Sequence, residues 1–495
     1  MTDAGAHRVP GLELMAPLRE ALQAAGYTYA NVAATLGDQA HAALSRNETT
    51  PGLRVTNGGS PVETLTRLWL LQAEVSASAA ERALPGLIDP LCTAGILARS
   101  IGEVAAAIDL RPYATDEDDL WVLSDLTPGL DGLGQRVHPD HVLGISPAST
   151  SLAELTIRRP VGKALDLGTG CGVQALHLAK HSGTVTATDV NRRALWLTRL
   201  NAALNEVEVD VREGSFFEPV RGERFDLITT NPPFVISPAT GERLVYRDSG
   251  LPGDRVVEHV VRDATDHLNP GGIAQVLANW LILKNQSWED RLASWAPNAD
   301  LWVVQREIVD LPTYVEMWLK DAGQHPSTGG RLGDYRNRYN TWLAWLEEQG
   351  AEGVGFGWIN LRPTELPPIR RCEHWPYEVA QPIGDEIARH FDAIALVREL
   401  SDDQLRATNP RIRIDVLQET VGATGAEEPA EILVRQQAGL RRGRSVSTGE
   451  AALLGACDGD LPLAALLGAV EELTGETVGL DTVRGLIAEG WLTLP

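Results

Sequence analysis

The run Ala164-Leu-Asp-Leu-Gly-Thr-Gly-Cys-Gly-Val-Gln174, then Thr184-Val-Thr-Ala-Thr-Asp189, then Phe225-Asp-Leu-Ile-Thr-Thr-Asn-Pro-Pro-Phe234, decides how the rest of the chain is read. Each piece is a short apolar strand that ends in a polar or glycine-rich turn. Ala164–Leu167 stops at Gly168, Gly170 and Gly172, and a helix takes over near Val173. Closely spaced glycines let a ligand approach the backbone, and the free amides of a helix start suit polar or anionic groups. The second strand ends at Asp189, about 20 residues on, where a carboxylate can hold a ribose diol. A nucleoside-binding turn is the first inference.

The glycine order narrows the ligand. A dinucleotide fingerprint needs G-x-G-x-x-G. Here the third glycine arrives one residue early, and Asp166 precedes the loop. This loop, Asp166, Gly168, Thr169, Gly170 and Gly172, resembles motif I of the class I S-adenosylmethionine methyltransferases. The resemblance implies S-adenosylmethionine as cofactor, with its methionine part against the loop and its ribose on Asp189, followed by Val190. A lone glycine loop also serves ordinary strand-to-helix corners, so the reading leans on Asp189 standing in register.

Asn231-Pro-Pro-Phe234 adds chemistry. Two consecutive prolines fix two φ angles and remove two donors. A planar –NH2 group can then give one hydrogen to the Asn231 side-chain oxygen and the other to the Pro232 carbonyl, with Pro233 stiffening the turn and Phe234 stacked on the plane. An amide or exocyclic amine is a poor nucleophile because its lone pair is delocalised. Acceptors on its N–H bonds orient the nitrogen and stabilise the charge that develops on it. The tetrapeptide resembles motif IV of the amino-methyltransferases; the bland alternative is a rigid turn after a buried strand. Asn231 is also expected beside the cofactor.

The tail of the motif, Asn231-Pro-Pro-Phe-Val-Ile-Ser-Pro238, then Tyr246-Arg-Asp-Ser-Gly250 and Gly253-Asp254, resembles the HemK/PrmC release-factor glutamine methyltransferases. That resemblance covers the middle third of the chain and favours a protein glutamine side chain as substrate without fixing it. Where many relatives carry an acidic residue next to the adenine, this chain has Gly214-Ser215-Phe216-Phe217. Ser215 accepting from the adenine amine and Phe216 packing on the ring are the substitutes.

Around this centre the chain of 495 residues, 43% hydrophobic, has room for two to three domains. No secretory leader or bilayer-length apolar run is visible, and Cys92, Cys171, Cys372 and Cys457 are scattered without metal or disulfide spacing. A soluble cytoplasmic protein without metal or membrane partner is expected. A net charge of −24 repels phosphate backbones unless basic residues cluster locally.

Residues 1–135 read as a helical, winged-helix-like domain. Apolar repeats lie at Leu14–Leu22, Tyr29–Leu36, Leu65–Val75 and Leu84–Leu97, and a hairpin pairs Glu103–Leu110 with Leu120–Leu126. Its favoured role is domain packing or substrate presentation rather than DNA reading. His138-Pro-Asp-His141 reads as a polar loop rather than a metal site, and Ser149–Ile157 as a helix behind a cofactor lid at Val142–Ala153. Residues 136–400 read as a Rossmann-like class I methyltransferase sheet. Its strands are Ala164–Leu167, Val185–Thr188, Glu208–Arg212, Asp226–Thr229 and Ile273–Ala278. Its helices are Val173–Lys180, Arg192–Asn205 and Val256–Leu268. Such alternation implies a parallel sheet with ligands at the carboxyl ends of its strands. Leu301–Ile308 and Gly353–Leu361 close it. Between them a Trp/Tyr-rich insertion near 312–350, with Arg331, Arg336 and Arg338, is either a substrate wall or a helical pair packing on the sheet. Cys372-Glu-His374 is left as surface or packing. Residues 401–495 read as a second winged-helix-like domain, with paired strands Arg411–Glu419 and Glu431–Gln437, the cluster Arg441-Arg-Gly-Arg444 and three helices.

Two functions of different classes remain. One is an S-adenosylmethionine-dependent N-methyltransferase acting on a protein glutamine, with an RNA or DNA base amine as alternative substrate. The other is a non-catalytic scaffold that keeps only the fold.

Overall fold

The computed structural model describes residues 9–115, 118–132, 138, 140–233, 235–238, 251–424 and 429–494. Phe234 and the stretch Tyr246–Gly250 lie outside the described residues.

The centre is an eight-stranded mixed sheet. Its strands are β1 (Val161–Leu167), β2 (Ser182–Asp189), β3 (Asp210–Glu213), β4 (Phe225–Thr230), β5 (Leu268–Leu283), β6 (Ala299–Val309), β7 (Ala351–Pro363) and β8 (Arg370–His374). They lie in the order β8-β6-β7-β5-β4-β1-β2-β3. The five from β3 to β5 are parallel, β7 runs antiparallel to both β5 and β6, and β8 joins β6 in parallel. The chain moves outward from β1 to β3 and then returns to the other side of β1 as β4. The carboxyl ends of β1 and β4 therefore flank a point where the winding reverses, which is where such sheets bind ligands.

Neighbouring residues of each strand face opposite layers. Leu165 and Ile228 join a core with Val257, Val260 and Val261 of α3 (Arg255–Ala264) and Leu292 and Trp295 of α4 (Trp288–Trp295). Ala164 and Leu227 join one with Ala175 and Leu178 of α1 (Val173–Leu178), Leu152 and Leu155 of the helix Pro147–Leu155, and Ile387 and Phe391 of α7 (Gly384–Glu399). Both faces are covered, which explains strands that are apolar without alternation.

Most expected elements fall where the pattern puts them, with two corrections. The strand expected at Ile273–Ala278 already begins at Leu268, so the stretch Asn269-Pro-Gly-Gly272 lies within it. It is an irregularity inside β5, whose register jumps from Leu268 opposite Phe225 to Ile273 opposite Leu227. Proline and glycine mark a bulge here rather than an end. The expected hairpin at Glu103–Leu110 is shifted: Asp109–Ala114 pairs with Asp119–Ser124, whereas Glu103–Ala106 belongs to a separate small sheet with Leu97–Arg99 and Val75–Ser76. Cys372-Glu-His374, left as surface or packing, lies in edge strand β8, with Cys372 packed against the core.

The insertion forms α5 (Leu311–Asp321) and α6 (Leu332–Glu348). Ahead of the sheet, the N-terminal helices share one core with Cys171, Val173, Leu197, Leu200 and Leu204, so this unit packs directly on α1 and on α2 (Arg192–Leu204). At the other end, Val416–Val421, Glu431–Gln436 and Gly443–Val446 make a meander beside three helices, and Arg411–Ile412 pairs with Leu492–Thr493. The arginine run is consumed inside the fold. Arg442 meets Glu373 of β8, Arg444 meets Glu450 and Glu489, and Arg441 meets Glu378.

Candidate functional site

The glycine turn is built by its own neighbourhood. Gly168, Gly170 and Gly172 have φ of +74°, +58° and +88°, which side-chain-bearing residues rarely adopt. At Gly168 and Gly170 an added Cβ would meet nothing, so the turn keeps open space on that side. At Gly172 it would meet the Thr198 Cγ2 at 3.1 Å and Cα at 3.3 Å, so the third glycine lets α2 approach. The N–H groups of Gly168 and Thr169 both donate to the Thr188 carbonyl at 2.9 Å, and the Thr198 hydroxyl donates to the Gly170 carbonyl at 3.0 Å.

Two carboxylates shape the turn. Asp166, 2% exposed, accepts from the Thr169 hydroxyl at 2.6 Å and from the Ala175 N–H at 3.0 Å. Burial pushes its pKa up to about 7 against those bonds. Asp189 at the end of β2 accepts from Gly170 N–H at 3.0 Å and Asn191 N–H at 2.8 Å, and burial also raises its pKa. Each carboxylate oxygen has several lone-pair directions, so acceptor capacity remains for ligand hydroxyls. Val190 beside it is an apolar side chain 65% exposed. These residues could hold a nucleoside cofactor: a bare glycine turn, a carboxylate with spare acceptors, and an apolar surface next to it.

Ser215 follows Gly214, whose N–H donates to the Asp189 carbonyl at 3.1 Å, so it sits at the same rim. Phe216 has φ +46° and lays its ring edge-on to His259 of α3 at 4.8 Å, against the main core. The segment before the sheet is tied down over both helix starts: the Asn191 side chain donates to the Asp140 carbonyl at 2.8 Å, and Gln174 to the Ser149 carbonyl at 2.7 Å.

The Asn-Pro-Pro corner stands beside the glycine turn. In the β1–β4 ladder Leu167 pairs with Thr230, so Gly168 and Asn231 leave their strands side by side. The Thr230 hydroxyl donates to the Leu167 carbonyl at 2.7 Å and fastens the two ends together. The side-chain oxygen of Asn231 is buried and has no hydrogen-bond partner among the described residues. A buried bare acceptor costs free energy unless a ligand supplies a donor. Pro232 is buried and Pro233 half-buried.

Other residues around the site are held in structural contacts. Asn201 of α2 donates to the carbonyls of Leu123 and Cys171 and accepts from Leu123 N–H, tying the N-terminal hairpin to the glycine turn. The carboxylate of Asp254 is taken by Leu281 N–H and by Arg291, a structural role. His138 faces Asp140 and His141 faces Asp125, and no cluster of His, Cys, Asp or Glu fit for a metal occurs among the described residues. None of their described helices is long and apolar enough to cross a membrane. A cavity lined by Trp302, Arg371, His390 and Ile487 lies against α7 and the C-terminal unit and shares no residue with the site.

Parts of the chain are similar to known proteins. Residues 144–294 match a family described as the methyltransferase small domain, and residues 24–107 match one described as a domain of unknown function. The methyltransferase-family match spans β1 to β5 and so includes both the glycine turn and the Asn-Pro-Pro corner. A ribosomal RNA small subunit methyltransferase C of Erwinia tasmaniensis is 32% identical over 203 residues, 40% of this chain and 54% of the relative. A ribosomal protein uL3 glutamine methyltransferase of Bradyrhizobium diazoefficiens is 35% identical over 153 residues, 28% of this chain and 48% of the relative. The chain thus spans about half the length of these relatives. A methyltransferase structure from Pyrococcus furiosus aligns with 36% of this chain and 84% of its own at 24% identity and a TM-score of 0.25.

Proposed function

We propose that the protein is an S-adenosylmethionine-dependent N-methyltransferase that methylates a planar nitrogen, with a protein glutamine side chain as its substrate. The observation that carries this reading is the buried oxygen of Asn231, held next to the glycine turn and without a hydrogen-bond partner among the described residues. When bound, the cofactor supplies a methyl group made electrophilic by its sulfonium. Asp189 accepts the ribose hydroxyls, Gly168–Gly172 leave room for the methionine part, and Val190 offers its exposed surface to the base. Ser215 and Phe216 belong to the same rim.

On the acceptor side, Asn231 takes one N–H of the substrate –NH2 group and Pro232 offers a carbonyl to the other. This fixes the nitrogen plane and stabilises positive charge as the C–N bond forms. Pro233 stiffens the corner, and Phe234 is assigned to stacking. The proton leaves a cationic nitrogen after transfer, so no strong base is required, and Asp166, bound to Thr169 and Ala175, is not asked to act as one.

The protein substrate is favoured by charge. The net charge is −24, and the C-terminal arginine run is paired internally. An RNA base amine is the second reading, because relatives are named for ribosomal RNA methylation. Ribosomal targets of either kind accord with action in the cytoplasm. Incubation of a lysate lacking this protein with tritiated cofactor and purified enzyme separates the readings. Label that survives nuclease but not protease supports protein, and the reverse supports RNA. Calorimetry that shows no heat with S-adenosylmethionine would leave only the non-catalytic scaffold.

A further inference from the structure

The backbone just past the Asn-Pro-Pro corner is held from the insertion. Ile236 is fully buried. Its N–H donates to the Tyr314 hydroxyl of α5 at 2.8 Å, and its carbonyl accepts from the Trp342 indole N–H of α6 at 2.8 Å. One residue thus has both backbone polar groups taken by side chains of two different insertion helices. The same Tyr314 oxygen receives the Asn279 side-chain N–H at 3.3 Å from β5, and the other end of that buried carboxamide has no hydrogen-bond partner among the described residues. Tyr314 also meets Trp342 and Phe356 ring to ring, at 6.2 and 6.0 Å. Val235, Ile236, Tyr314 and Trp342 belong to one apolar cluster that the main sheet cores do not share.

A helical pair serving only as cover would bury its apolar stripe and leave the strand connection to satisfy itself. Here the polar tips of the two large aromatics are spent on the main chain five residues past Asn231. The geometry points to Tyr314 and Trp342 as positioning residues that clamp Ile236 and so hold the Asn231 carboxamide oxygen in place for the acceptor nitrogen. This rests on the methyltransferase reading above. The insertion is then the back wall of the acceptor half of the site, and the substrate nitrogen is aligned by residues remote from it in sequence.

The test uses the full-length protein with Tyr314→Phe, Trp342→Phe and, as a packing control, Leu346→Ala in α6. Three readouts are taken: deuterium uptake of the peptide containing Ile236, S-adenosylmethionine affinity by calorimetry, and initial methyl transfer from tritiated cofactor to a lysate lacking the protein. Both aromatic variants are expected to exchange the Ile236 amide region at least tenfold faster, to keep cofactor affinity within twofold, and to lose at least tenfold in transfer rate at saturating cofactor. Leu346→Ala lowers the melting temperature without that selective loss of rate. If the aromatic variants transfer methyl as fast as wild type, or lose rate only in proportion to the control, the clamp is refuted. A wild type that takes up no cofactor refutes the methyltransferase reading instead, and the clamp's positioning role with it.

Discussion

The two halves of the site are made in opposite ways. The glycine half is nearly self-contained: Asp166 binds Thr169 and Ala175, three and nine residues on, and Asp189 and Thr198 reach Gly170 across 19 and 28 residues. The Asn-Pro-Pro half is held across the chain, by Leu167 63 residues before Thr230 and by Tyr314 and Trp342, 78 and 106 residues beyond Ile236. The first is a loop whose own sequence specifies it. The second is a corner whose shape depends on an insertion folding back, with the loop-closure cost that implies.

The difference can be tested by breaking each half separately. The largest effect is expected from Asn231→Ala, which removes the proposed acceptor. Transfer should fall by roughly 10²–10³-fold, as for loss of one preorganised hydrogen-bonding group. Calorimetric affinity for S-adenosylmethionine should stay within a few-fold; if affinity collapses as well, the halves are not separable. In the other half, Gly172→Ala places a Cβ at φ +88° against Thr198 and should cost roughly 2 kcal/mol in urea unfolding, with weakened cofactor binding.

A subtler probe of the glycine half is pH. The folded pKa of Asp166 is raised to about 7, so between its unfolded value and that point the folded state holds more protons. Stability should therefore fall as pH rises from about 4 to 7, by at most roughly 1.4 kcal/mol per pH unit from this group. Asp166→Asn keeps an oxygen for Thr169 and Ala175 and should flatten the slope in urea melts, leaving the share due to Asp189. An unchanged slope would mean that Asp166 is ionised in the folded protein. The smallest effect belongs to Arg441→Ala, remote from both halves. Its exposed pair with Glu378 is worth about 0–0.5 kcal/mol, and transfer should not change; a loss of transfer confined to an RNA substrate would revive a nucleic-acid role for the arginine run.

How much was legible follows the same division. Gly168, Gly170, Gly172 and Asp189 could be read because each answers to a local requirement: a left-handed φ, a close helix, a strand end. Asn231-Pro-Pro could be read because proline fixes its own backbone. The start of β5 was expected only at Ile273 because proline and glycine at Asn269–Gly272 can break a strand or kink it, and only the register with β4 distinguishes the two. Edge strand β8 was missed because Arg370–His374 is polar and short, and its pairing with β6 and its Glu373–Arg442 contact come from distant residues. Tyr314 and Trp342 belong to the Trp/Tyr-rich insertion, but nothing in the sequence singles them out within it, and Asn279 and Asn201 are ordinary amides of the kind that most often satisfy a core.

By itself the sequence determined a wound α/β sheet, the place of its ligand turn and the chemical character of the corner beside it. These rest on backbone preferences and apolar patterning, which act within a few residues. The tertiary structure alone decided that Gly168 and Asn231 leave adjacent strands, that the Asn231 oxygen is buried without a partner among the described residues, and that two aromatics from an insertion hold the chain just beyond it. Those facts are set by pairing register and packing between segments far apart in the chain, and no local rule encodes them.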